Sequence, residues 1–318
     1  MKAISTPPEA SISHQGVCPP CKAAAALWPG WSPLIVLPIA VCAFGGKFPA
    51  WGFMWLLAFA LYAGCKWLTW WQARMGGFET GGWRGAGYLF AWPGMDAPAF
   101  FKRDPEDSKP PLGEWRAAIL KTCLGAMVVW GVTRHVPAEQ ALVAGWVGMI
   151  GLILVLHFGS FHLLSLFWRR AGIDAQPIMR APILSSSLSE FWSMRWNLAF
   201  RQLCRDYVFR PVLDRMGMSA ALLVVFLVSG LIHELVISLP ANGGYGLPTA
   251  YFMVQGLGIL FEHSRVGRWS GIQQGMRGRF YTILVAAAPA LWLFHSPFIH
   301  NVMTPFLKII GAWKGDVL

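Results

Sequence analysis

The sequence predicts an all-α protein that crosses a membrane several times. Three observations carry that prediction. Only 13% of the 318 residues are charged, against roughly 25% in an ordinary soluble domain, so too little polar surface exists to cover a water-exposed fold. Eighteen Trp and twenty-one Phe supply aromatic rings that favour the interface between membrane and water. Apolar runs recur along the chain at lengths approaching the ~20 residues that a helix needs to span a bilayer.

Residues 1–26 are polar and contain prolines, and they read as a loose tail without the layout of a cleavable signal peptide. Residues 27–318 read as a single membrane domain. Its strongest spans are Ala138–Phe158, Ser219–Leu239 and Phe280–Ile299. Pro33–Phe44, Ala50–Leu68, Ala117–Val132 and Leu247–Phe261 are shorter or broken, and can tilt or thin the bilayer locally. Phe306–Trp313 reads as a further short or re-entrant piece. The expectation is about seven or eight membrane segments plus amphipathic cytoplasmic helices.

The formal net charge is +11. Lys and Arg fall between apolar runs rather than in one stripe, which argues against nucleic acid as a partner. They are dense between Lys66 and Lys121 and over Arg169–Arg215, and Arg265–Arg279 holds four Arg. The Val136–Pro137 turn and Pro240–Gly246 hold none. That alternation assigns the basic loops, and with them the N-terminus, to the cytoplasmic side.

Within the second basic stretch, Ser187-Leu-Ser-Glu190 has the pattern of a capping box. It predicts a helix opening at Phe191 and closed by Pro211. Trp192, Trp196 and Phe200 recur every four residues as an apolar stripe, and Asn197, Arg201 and Arg205 form a polar stripe about 100° away. This is the pattern of an interfacial amphipathic helix.

Few residues can carry chemistry. Cys18-Pro-Pro-Cys21 has CxxC spacing, but no second pair completes a zinc site. Cys42, Cys65, Cys123 and Cys204 lie in or beside apolar segments, where Cys packs as a small hydrophobe. His157/His162 and His295/His300 are each five apart, about 140° around a helix, and make poor chelating pairs. No metal site is expected. His233 differs, because it sits in Ser229-Gly-Leu-Ile-His-Glu-Leu235 inside an apolar span. An ionisable group at that depth is costly and marks a functional site; the environment favours a neutral imidazole able to accept a proton. Ser229 lies one turn before it, and Gly230 allows another helix or a substrate to approach closely. Glu234 points about 100° away. From these residues alone, an enzyme using His233, a transporter relaying protons through His233, Glu234 and Glu262, and a non-catalytic scaffold all stay open. The chain shows no inverted repeat of the kind a transporter would carry.

Three segments together resemble the membrane-bound O-acyltransferases, on the branch that contains wax synthases. They are Tyr88-Leu-Phe-Ala-Trp-Pro-Gly-Met-Asp96, Ser189-Glu-Phe-Trp-Ser-Met-Arg-Trp-Asn197, and Ser229 to Leu235 followed by Phe252-Met-Val-Gln-Gly256. The likeness covers roughly residues 88–263, with Ser193-Met194 where the family more often has Gly-Arg. The resemblance implies a helical bundle with an internal tunnel. It implies transfer of a fatty acyl group from acyl-CoA to the hydroxyl of a lipid alcohol, with membrane lipids as surroundings and no permanently bound cofactor. By the same resemblance His233 is the general base, and Asn197 positions the thioester or stabilises the oxyanion. Trp196, Arg195, Arg201, Arg205 and Glu234 would contact the donor.

Overall fold

The computed structural model describes residues 23–102 and 109–315, with side chains from Trp28 onward. Most of the expected polar tail, and the Cys18/Cys21 pair, lie outside the described residues. Every regular element among the described residues is helical.

Helix α1 (Ala23–Phe44) contains Pro29, Pro33 and Pro38, a load that neighbouring helices can compensate inside a membrane. It packs on α2 (Ala50–Met75) through Gly64. A β-carbon there would lie 2.9 Å from the backbone nitrogen of Leu34, so the two helices meet backbone to backbone, as small residues permit. From α2, Tyr62 Oη donates to the Trp92 carbonyl at 2.9 Å and Lys66 Nζ to that of Gly94 at 2.7 Å. These bonds pin the loop between α3 (Gly82–Ala91) and α4 (Ala97–Phe101). Trp168 Nε1 adds a third donor, to the Ala91 carbonyl at 2.9 Å. The Trp92–Asp96 motif is thus a braced loop.

Helices α5 (Leu112–His135) and α6 (Ala141–Arg170) follow. Gly125 lets them touch, since a β-carbon there would stand 2.6 Å from Val155 N. The short α7 (Leu188–Glu190) precedes the 44-residue α8 (Leu198–Ala241). The remaining helices are α9 (Leu247–Glu262), α10 (Arg265–Ser270), α11 (Gly275–Leu293) and α12 (Ser296–Ile309). A core around Phe226, Phe252, Ile259, Phe298 and Ile299 ties α8, α9 and α12 together.

Five helices are long and apolar enough to cross a membrane, or six when the bent pair α11–α12 counts as one span. The sequence suggested seven or eight. The difference lies at the C-terminal end. Leu247–Phe261 becomes α9 with only 16 residues, Phe280–Ile299 runs across the 61° bend of one helix pair, and Phe306–Trp313 begins within the second limb of that pair. The bend sits at His295, whose Nδ1 accepts from Phe298 N at 3.2 Å and starts a new helix.

The single amphipathic helix expected from Phe191 to Pro211 is not what forms. Ser187 Oγ does accept from Glu190 N at 3.0 Å, and a π-turn runs over Phe191–Arg195. The chain then breaks: Trp196 is extended, and Asn197 is left-handed at φ 42°. Asn tolerates that conformation better than most residues, and its Oδ1 caps the next helix by accepting from Phe200 N at 3.3 Å. Pro211 does not end that helix. It lies in the first turn after a π-turn over Arg205–Phe209, where its missing N–H is tolerated. The stop is Gly217, at φ 81° and ψ 176°, a region open essentially to Gly alone. We expect Gly217→Ala to cost about 1–3 kcal/mol, read as a lower Tm in detergent; an unchanged Tm would mean the break relaxes freely.

Candidate functional site

The break at Gly217 creates the site. Cys204 and Ser229 line the same cavity, yet 25 residues of unbroken helix would hold them about 37 Å apart. The limbs 198–216 and 218–241 therefore fold toward one another. Between them lies a cavity of about 680 Å³, within the usual range for ligand pockets. Asn197, which caps the first limb, and Arg201, Arg205 and Phe209 within it line one side, and Leu222, Val225, Phe226 and His233 of the second limb line another. Phe252 and Ile259 of α9, His263 just after it, and the stretch from Ser189 to Trp196 close the other sides.

His233 is half-buried and lines the cavity. Its Nδ1 lies 2.7 Å from the Ser229 carbonyl. A carbonyl only accepts, so Nδ1 carries the proton and the neutral ring leaves the Nε2 lone pair free. The ring packs against Phe252 at a centroid distance of 4.4 Å. Phe252 in turn meets Trp192, whose Nε1 donates to Gln255 Oε1 at 3.3 Å. Gly230 serves the helix contact: a β-carbon on it would stand 2.7 Å from Thr249 Cα of α9.

Asn197 uses Oδ1 as a helix cap, which leaves Nδ2 as a free donor at the cavity wall. Trp196, Arg201 and Arg205 also line the cavity. Arg205 Nε pairs with Asp206 Oδ1 at 3.0 Å. The Arg201 side chain makes no hydrogen bond or ion pair among the described residues, and it borders a second cavity of about 190 Å³ that also takes in Asp96 and Arg180.

Two proposed donor contacts stand elsewhere. Arg195 is outside the cavity lining, with Nε 2.6 Å from Glu190 Oε1 and Nη1 donating to the Arg180 carbonyl at 3.2 Å. It is a clamp on the segment leading into the site. Glu234 also lies outside. Its Oε1 accepts from Gly246 N, Thr249 N and Thr249 Oγ1 at 2.9–3.0 Å, so it holds the start of α9. That placement follows from the 100° step between neighbours on a helix: with His233 in the cavity, Glu234 turns away.

Glu262 is equally structural. It is 1% exposed, and it accepts from Leu188 N at 2.6 Å and from Ser189 Oγ at 2.6 Å. Among the described residues no hydrogen bond joins His233, Glu234 and Glu262 into a relay. We expect Glu262→Ala to orphan the buried amide of Leu188 at a cost of about 1–3 kcal/mol, with Glu262→Gln retaining part of it; equal Tm values for all three proteins would overturn the assignment.

Ser186, through its amide and then its hydroxyl, together with Arg195, holds the Glu190 carboxyl below the usual carboxylate range. A depressed folded pKa contributes stability that is present above the unfolded value and lost as pH falls through the folded one. Tm measured against pH should therefore drop for the wild type below the normal carboxylate range. Glu190→Gln should show a shallower fall there; parallel curves would remove Glu190 from the account.

The sequence carried no signal for the role of Arg180, which acts through a neighbour distant along the chain; Phe252 stands in the third resembling segment, but its contact with the His233 ring is set by packing between helices. Ser189 and Ser193, both in the second resembling segment, border the cavity.

A family model described as "Membrane bound O-acyl transferase family" matches residues 175–254, which contain both Asn197 and His233. The chain is 28% identical over 202 residues to the "Probable long-chain-alcohol O-fatty-acyltransferase 2" of Arabidopsis thaliana, covering 58% of this chain and 54% of that protein. It is 31% identical over 134 residues to the "Probable long-chain-alcohol O-fatty-acyltransferase 8" of the same plant, covering 39% of each. Over 71 residues it is 37% identical to the "Long-chain-alcohol O-fatty-acyltransferase" of Simmondsia chinensis, covering 20% of each. At most, the chain spans about half the length of these relatives. With its apolar helices it is an integral membrane protein; its segment 175–254 matches the membrane bound O-acyl transferase family, and the chain is similar to long-chain-alcohol O-fatty-acyltransferases.

Proposed function

We propose that this protein transfers a fatty acyl group from acyl-CoA to the hydroxyl of a long-chain lipid alcohol. The observation that carries the reading is the cavity in which His233 offers a free Nε2, with Asn197 Nδ2 on the same wall system. The names of the relatives support an alcohol as acceptor.

In this reading Nε2 of His233 takes the hydroxyl proton as the alcohol oxygen attacks the thioester carbonyl. The negative charge that develops on the carbonyl oxygen is met by Asn197 Nδ2. Collapse breaks the carbon–sulfur bond and gives the ester. The departing thiolate takes the proton back from the imidazolium and leaves as the thiol. No covalent acyl-enzyme is needed. Arg201 and Arg205 pair with donor phosphates, the task for which guanidinium groups are suited, while Trp196 packs on the donor. The N-terminus and the basic loops then face the cytoplasm, where CoA thioesters are supplied.

The test is purified protein in detergent or liposomes with labelled acyl-CoA and a panel of lipid alcohols. Ester formation dependent on both substrates is expected. Release of CoA without ester, or no product with any alcohol, would overturn the reading.

A further inference from the structure

The limb from Met218 to His233 presents one face to the cavity along its whole length. Met218, Leu222, Val225 and Ser229 line the same cavity as His233. Counted back from His233 at 1.5 Å per residue, they stand about 22, 16, 12 and 6 Å away. At 100° per residue all of them fall within one third of the helix circumference. Ser229 places no polar demand on a ligand here, because its Oγ donates to the Val225 carbonyl at 2.9 Å. The wall is therefore apolar from Ser229 to Leu222, with Ser219 beside Met218 at its far end, and Ile259 of α9 faces the same space. Charge enters from the other limb, at Arg201 and Arg205.

From this arrangement, and resting on the acyl-transfer reading above, we infer that Leu222 and Val225 set the length of the aliphatic chain that the cavity accepts. A chain whose reacting end sits at His233 runs along this face and meets Val225 before Leu222. The chain is either the acyl group of the donor or the alkyl group of the alcohol, two sources with one chemistry. Each additional methylene that fits contributes buried apolar surface, and each one that does not fit is excluded by packing.

The experiment compares the wild type with Val225→Trp, Leu222→Trp and Leu231→Trp. Leu231 is 56% exposed on the outward side of the same helix and serves as the control. One arm varies acyl-CoA length against a single alcohol, and the other varies alcohol length against a single acyl-CoA. In one arm, Leu222→Trp should depress the longest chains about tenfold or more relative to the shortest. Val225→Trp should move the cutoff to still shorter chains, and Leu231→Trp should match the wild type. The arm that responds identifies the chain. Profiles that superimpose on the wild type in both arms, or a cutoff that does not follow the order Val225 then Leu222, would overturn the inference. Thermal stabilisation by the same acyl-CoAs and alcohols provides a second readout that needs no turnover. Truncated binding without ester formation in any protein would retain the ruler and reject the acyl-transfer reading. Ester formation with unshifted profiles would do the reverse.

Discussion

Replacing His233 with Ala should lower ester formation by about 10²–10⁴-fold, the usual contribution of a positioned general base. The loss should appear in kcat with little change in KM for the acyl donor, because in the proposed mechanism Nε2 acts on the alcohol and only while the proton moves. Folding should survive. The Nδ1 bond to the Ser229 carbonyl is local, within one turn of the same helix, and the cavity takes up the lost volume on one side. His233→Gln tests the same point with a side chain that can form hydrogen bonds but is no base near neutral pH. It should be as inactive as Ala while keeping the wild-type Tm. Activity within a few fold of wild type in either variant would remove His233 from the chemistry.

The second large effect is at Asn197, where two roles can be separated by choice of substitution. Oδ1 caps the helix that begins at Leu198, and the backbone is left-handed at φ 42°. In the proposed mechanism Nδ2 is the group offered to the developing oxyanion. Asp retains the capping oxygen and tolerates the backbone conformation, but it has no amide donor. Asn197→Asp should therefore keep a near-native Tm and lose about 10²–10³ in kcat, as removal of an oxyanion donor does. Ala loses the cap and meets the left-handed strain as well, so Asn197→Ala should lower Tm by an amount corresponding to about 1–2 kcal/mol. If Asp and Ala proved equally unstable and equally inactive, Asn197 would be a helix cap and nothing more.

Much of the architecture was legible in the residues. The long apolar runs became α1, α2, α5, α6 and the second limb of α8, because twenty consecutive apolar residues satisfy their backbone only as helix in lipid. Ser187 was readable as a cap, since that bond closes within three residues. His233 stood out for the cost of an imidazole in an apolar span. Less visible was the break at Trp196–Asn197. Periodicity at four-residue spacing continues straight through it, and one left-handed residue leaves almost no trace in a pattern. Pro211 gave a false stop for a related reason. A proline ends a helix only when an amide donor is missed there, and the π-turn over Arg205–Phe209 removes that need.

His233 is the group on which the proposed function turns. Its type, its apolar surroundings and its neighbours were determined by the sequence alone, because burial cost and helix periodicity are local properties of the chain. The tertiary structure decided what surrounds it. The break at Gly217 folds one limb back on the other, bringing Asn197, Arg201 and Arg205 to the same cavity wall system. Helix α9 supplies Phe252 against the ring, while Glu234 and Glu262 turn away to hold backbone amides. Those pairings join residues tens of positions apart. Only long-range packing selects among the partners that their chemistry would allow.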